Sequence, residues 1–131
     1  MIGLDSNVLV RYLTQDDPAQ SARATRLIER QLTERRQGFI SLIVLVELWW
    51  VLKRLYRATA LELRQTLQDL LDTRQFAFEQ RDAVIRALKK LDAGADDIAD
   101  TLIVEAALAG ACERIVTFDK RAVKAGMVLL K

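Results

Sequence analysis

The chain contains no histidine and a single cysteine, Cys112, among its 131 residues. Without histidine there is no imidazole base and no ordinary zinc centre. With one thiol there is no intrachain disulfide and no cysteine–histidine nucleophile. Cys112 is expected to be a small apolar core filler, and a reducing cytoplasm is the expected compartment. One proline and five glycines leave no low-complexity linker, and no internal repeat is evident. No run reaches the ~20 apolar residues needed to cross a bilayer. Met1 leads at once into the short apolar stretch Ile2–Leu4, so neither a membrane span nor a secretory leader is expected. Any catalytic chemistry falls to carboxylates, hydroxyls, lysine or arginine.

What is present is an ordinary globular composition, 51% apolar and 29% charged. Its length suits one domain, residues 1–131, with a single core. Ile2–Leu4 reads as a short buried strand and Ser6–Leu13 as a helix. Asp16-Asp17-Pro18 opens a second helix, with proline in its first turn, running to about Arg36. Gly38–Ile40 is a second strand. Ser41 then caps an apolar helix that continues to about Arg57. Thr59 followed by Glu62 is a capping box for a helix to about Thr73. Gln75–Glu79 alternates as a strand. Arg81–Leu91 carries the helical stripe Ala83, Val84, Ala87, Leu88 and Leu91, and Asp97–Ala111 forms another helix. Ile115–Phe118 and Met127–Leu130 close the series as strands. Strands alternating with helices predict an α/β/α arrangement around a mainly parallel sheet. In such sheets the site lies at the carboxyl ends of the strands.

Glu47 stands out within LIVLVELWWVL (Leu42–Leu52), eleven residues of which ten are apolar. A segment apolar on every side is expected to be buried all round. A carboxylate there costs several kcal/mol unless a metal ion, a distant arginine or pocket water receives it. Asp5 follows the first strand directly, and Asp119 follows IVTF directly. Asp100 lies one turn into an otherwise apolar helix, with Asp97 three residues earlier on the same face. Unpaired carboxylates in one pocket repel and hold protons, and a hard divalent cation removes that repulsion. Mg²⁺ and Mn²⁺ prefer such oxygen ligands. One or two of these ions can activate water and stabilise the leaving oxygen of a phosphodiester. Ser6 and Thr117 could orient water or phosphate from the same edge. Each acid also has a plainer role. Asp5 and Asp97 suit helix N-caps, Asp119 suits a turn, Asp100 could pair with an arginine, and Glu47 could snorkel.

These segments together resemble the PIN-domain ribonucleases, most closely the VapC toxins of bacterial toxin–antitoxin pairs. The resemblance rests on MIGLDSNVLVRYL, on the S-x-x-x-x-x-E helix with E-L-W-W-V-L, on D-D-I-A-D-T-L-I and on I-V-T-F-D. By position, the family's acidic ligands fall on Asp5, Glu47, Asp100 and Asp119. Asp97 matches an accessory acid, Asn7 the asparagine near the first aspartate, and Thr117 the motif's hydroxyl. Ser6 stands where threonine is usual, and Ile98 where phenylalanine is usual. The resemblance implies a Mg²⁺- or Mn²⁺-dependent endoribonuclease with an α/β/α fold. It also implies a homodimer, a VapB-type antitoxin that blocks the site, and structured RNA such as transfer RNA as substrate.

Charge is near balance, with 20 lysines and arginines against 18 acids. With the five candidate-site acids set aside, 13 acids of those 18 face the 20 bases, so the remaining surface can attract a phosphate backbone. Lys120, Arg121 and Lys124 adjoin Asp119 and are the preferred RNA contacts. Lys53, Arg54 and Arg57 form a second cluster. Arg23, Arg26 and Arg30 read as a solvated helix face. Trp49 and Trp50 are expected in the core or an interface rather than as base-stacking platforms. Tyr12 and Tyr56 fit either role. The apolar faces between Ala19 and Leu71 form a candidate groove for an antitoxin helix. Two rival readings are a flap-type DNA nuclease, for which the chain is short, and a receiver-like signalling domain. The latter needs an acidic pair after the first strand and an aspartate after a middle one, both missing here.

Overall fold

A computed structural model describes all residues, 1–131. Its contacts divide the chain into two compact units, Met1–Glu79 and Gln80–Lys131.

In the first unit, β1 (Ile2–Gly3), β2 (Gly38–Ile40) and β3 (Phe76–Phe78) form a parallel sheet in the order β1-β2-β3. Ile2 pairs with Gly38, and Gly38 with Phe76. Gly38 is needed at that central position. A Cβ there would lie 2.6 Å from the Leu4 side chain and 2.7 Å from that of Leu32. Helices α1 (Ser6–Thr14) and α2 (Pro18–Arg26) follow β1. Asp17 caps α2 by accepting from the Gln20 N–H, and Pro18 occupies the first turn, as the sequence predicts. Polar side chains tie the two helices together. Arg11 donates to Gln20 at 2.8 Å and to Asp16 at 3.0 Å, and the Tyr56 hydroxyl donates to Asp16. Hydrogen bonds from Tyr56 and then Thr14 hold the Asp16 carboxyl below its usual range, with help from Arg11. Tyr56 therefore serves as a cross-brace.

The second helix ends earlier than expected. α2 passes into a π-helical turn, Leu27–Gln31, closed by the Leu32 N–H on the Leu27 carbonyl, and Leu32 itself is extended. The Thr33 hydroxyl accepts from the N–H groups of Arg35 and Arg36, offering the backbone a turn in place of a helix. α3 spans Leu42–Arg54, three residues short of Arg57, which adopts a left-handed φ of 54°. Ser41 caps it as predicted, and the Glu79 carboxylate adds a second cap, accepting from the Leu42 N–H at 2.8 Å. α4 (Ala60–Asp72) begins with the predicted capping box between Thr59 and Glu62. Leu45, Leu48, Trp49 and Leu52 of α3 meet Leu63, Leu67 and Leu70 of α4 around a small cavity of about 10 Å³. The Trp49 indole N–H is buried there without a hydrogen-bond partner.

In the second unit, α5 (Arg81–Asp92) buries Ala83, Val84, Ala87, Leu88 and Leu91, the predicted stripe, and packs on α6 (Ile98–Ala109). β4 (Val116–Thr117) and β5 (Val128–Leu129) form a parallel pair in which Val116 faces Val128. Between them Lys120–Ala125 forms a 3₁₀-helix that the sequence reading does not anticipate. Ala122, Ala125 and Met127 pack with Val104 of α6, and Ile115 lies against them. Every strand pair in the molecule is parallel, as the alternation predicts, and the strands are shared between two ladders. Cys112 is exposed, which corrects its expected place in the core. It follows Ala111, whose φ of 60° turns the chain away at the end of α6, beyond the packed helix surface.

Candidate functional site

Asp5 lies immediately after β1 and Leu4, at the carboxyl edge of the first sheet. It is exposed and caps α1, one carboxylate oxygen accepting from the Ser6 N–H at 2.8 Å. The plainer role and the functional one are therefore compatible, because the second oxygen remains available. Glu47 is also exposed, which overturns its expected burial. The physical reason is a 3.6-residue period hidden by the apolar composition of α3. Leu45, Leu48, Trp49 and Leu52 form the buried stripe. Ile43, Glu47, Trp50 and Arg54 fall on the opposite side, where Ile43 is 74% and Trp50 43% exposed. The Arg54 guanidinium lies 5.5 Å from the Trp50 ring centroid, a cation–π contact. The adjacent tryptophans thus divide, Trp49 in the core and Trp50 at the surface.

The second unit gathers acids more tightly. Asp97 caps α6, accepting from the Ala99 N–H at 2.6 Å, and Asp100 follows one turn later. The Asp100 carboxyl is raised above its usual value. Partial burial is the main cause, followed by repulsion from Asp97, Asp119 and Asp96, with Arg121 opposing. Asp119 leaves β4 and caps the 3₁₀-helix by accepting from the Arg121 N–H at 2.9 Å, with the Arg121 Nε 3.6 Å away. The Thr117 hydroxyl accepts from the Asp119 N–H at 3.0 Å and so braces its backbone. Asp96, which the sequence reading passes over, belongs to the same field and lies 4.0 Å from Lys124. Its signal was the doublet Asp96-Asp97.

No three carboxylates close on a single point. The donor chemistry is nonetheless all oxygen, and the repulsion felt by Asp100 is of the kind a hard divalent cation relieves.

A second missed acid is Glu105, 4% exposed in α6. Its oxygens lie 2.7 Å from Arg86 Nε and 3.5 Å from Lys90 Nζ. Lys90 also donates to the Ala125 carbonyl at 2.9 Å, at the end of the 3₁₀-helix. Its signal was a lone acid in the apolar run LIVEAALA.

No helix is long and apolar enough to cross a membrane. Among known families the PIN domain matches the chain, over residues 2–126. No curated protein and no solved structure matches the chain.

Proposed function

The chain belongs to the PIN-domain family, whose members are typically metal-dependent nucleases, and from that premise we propose that it is a Mg²⁺- or Mn²⁺-dependent endoribonuclease. The observation that carries this reading is the family match itself, which runs through Asp5, Glu47, Asp100 and Asp119 alike. These four are the proposed catalytic acids and metal ligands, with Asp97 as an accessory acid, in a single nuclease domain covering residues 1–131. A bound divalent ion would supply Lewis acidity and a water acidified enough to attack a phosphodiester. The protein's own part is to hold carboxylates ready. Thr117 and Arg121 fix Asp119, and the Ser6 N–H fixes Asp5. Asp100, whose carboxyl is raised by partial burial and by neighbouring acids, would be among the residues that hold the ion. The proposed biological setting is that of a VapC-type toxin in the cytoplasm: a homodimer inhibited by a VapB-type antitoxin and directed at structured RNA such as transfer RNA.

The test is cleavage of transfer RNA and of a DNA duplex by purified protein, with Mg²⁺ or Mn²⁺ and with chelator. Metal-dependent RNA cleavage, lost in chelator and lowered at least 100-fold by Asp5→Asn, is the expected result. Undiminished cleavage by Asp5→Asn would reject the site assignment, and cleavage of DNA alone would reject the substrate.

A further inference from the structure

Within the first unit, α1, α2 and the π-helical turn border a pocket of about 350 Å³. That volume lies in the range of small-ligand sites, roughly 300–1,000 Å³. Its polar lining is Asn7, Arg11, Gln20 and Arg23, over an apolar floor that includes Ala24 and Leu27, and no carboxylate lines it. The two cations differ. Arg11 is anchored by Gln20 and Asp16 and by the Tyr56 hydroxyl at 3.3 Å, so its plane is fixed and Asp16 takes up part of its charge. Arg23 is exposed and has neither an ion-pair partner nor a side-chain hydrogen bond. Because the Gln20 carbonyl oxygen is occupied by Arg11, its amide offers the pocket N–H donors. Asn7 lies in the first turn of α1, two residues beyond Asp5.

A concave site with two guanidinium groups, two amides and no acid is suited to an oxyanion. We propose that this pocket is a phosphate subsite for the RNA strand, receiving a backbone phosphate that flanks the one to be cut, with Arg23 as its uncompensated charge. The inference rests on the ribonuclease reading. It gives Arg23 a role distinct from Arg26 and Arg30, which share its helical sequence stripe but do not line the pocket.

The experiment measures binding of fluorescein-labelled bulk transfer RNA to the full chain carrying Asp5→Asn, across a series of salt concentrations. Adding Arg23→Ala is expected to weaken binding about threefold or more at low salt. It should also flatten the slope of log affinity against log salt by about 0.7–0.9, the value of one phosphate contact. Arg23→Lys should keep the slope, and Arg30→Ala should change neither quantity. With Asp5 intact, Arg23→Ala should raise KM and leave kcat, because contact to a flanking phosphate is shared by ground and transition states. An unchanged melting temperature shows that the variant folds. If Arg23→Ala matches Arg30→Ala in a chain that binds and cuts RNA, the subsite is rejected while the nuclease reading stands. If the unsubstituted chain neither binds nor cuts RNA, the nuclease reading has failed and the subsite falls with it. If Arg23→Ala weakens capture of an acidic peptide but leaves RNA binding intact, the pocket docks protein and the proposal is overturned.

Discussion

Glu47 and Glu105 present the same local picture in sequence, one acid among apolar neighbours in a helix, and their fates are opposite. Glu47 faces solvent, whereas Glu105 is buried and paired with Arg86 and Lys90. The energetic anomaly suspected at Glu47 thus belongs to Glu105, and a distant arginine with a lysine resolves it. This changes what substitution of Glu47 should do. Being exposed and without a hydrogen bond, Glu47→Gln should shift stability by no more than about 0.5 kcal/mol in urea titrations. Metal affinity, read by calorimetry with Mn²⁺, should still fall if Glu47 is a ligand. A large loss of metal-free stability would show that the carboxylate has a structural partner.

At the scale of elements, signals set by neighbouring residues were legible. The Thr59–Glu62 capping box, Pro18 in a first turn, the stripe of α5 and the short apolar strands all lie where local chemistry puts them. What escaped the sequence depends on contacts far along the chain or on competing hydrogen bonds. Glu79 capping α3 joins residues 37 positions apart, and the Thr33 turn beats a helical pattern that otherwise continues to Arg36. At the site, the strand-end positions of Asp5 and Asp119 could be read from the chain, whereas the side of α3 that carries Glu47 could not. The link from α5 through Lys90 to Glu105 and the Ala125 carbonyl was invisible for the same reason, and it carries an element-scale prediction. Glu105→Ala strips the carboxylate from both cations. Because Lys90 and Arg86 keep some access to water, the cost should be about 1–3 kcal/mol rather than that of a fully buried charge. Chemical denaturation checks it, and a change below 0.5 kcal/mol, on the order of an ordinary surface substitution, would show that the link is not stabilising.

For the molecule as a whole, Asp100 links folding to acidity. Its folded pKa is raised, so the fold favours the protonated form. That contribution is complete below the unfolded carboxylate value and is lost as pH rises through the raised value. Metal-free protein should therefore melt lower than its Asp100→Asn variant at pH 7. The difference should shrink as the buffer is acidified and also when Mg²⁺ or Mn²⁺ is added to the unsubstituted chain. A pH-independent gap, followed by scanning calorimetry, would separate Asp100 from this linkage. The opposite shift at Asp16 contributes stability above the usual carboxylate range, lost as pH falls, so the two acids tilt the stability profile in opposite directions.

The exposed Cys112 has a practical consequence. It is the only thiol in the chain and stands just past the end of α6, the helix whose first turn carries Asp100. Nine residues of helical rise carry α6 from Asp100 to its last residue, Ala109, about 14 Å at 1.5 Å per residue, and Cys112 stands just beyond that end. A nitroxide attached to Cys112 would therefore sit within dipolar range of a paramagnetic Mn²⁺ held at Asp100. The molecule carries its own ruler, with which the ion could be located without any cleavage being measured.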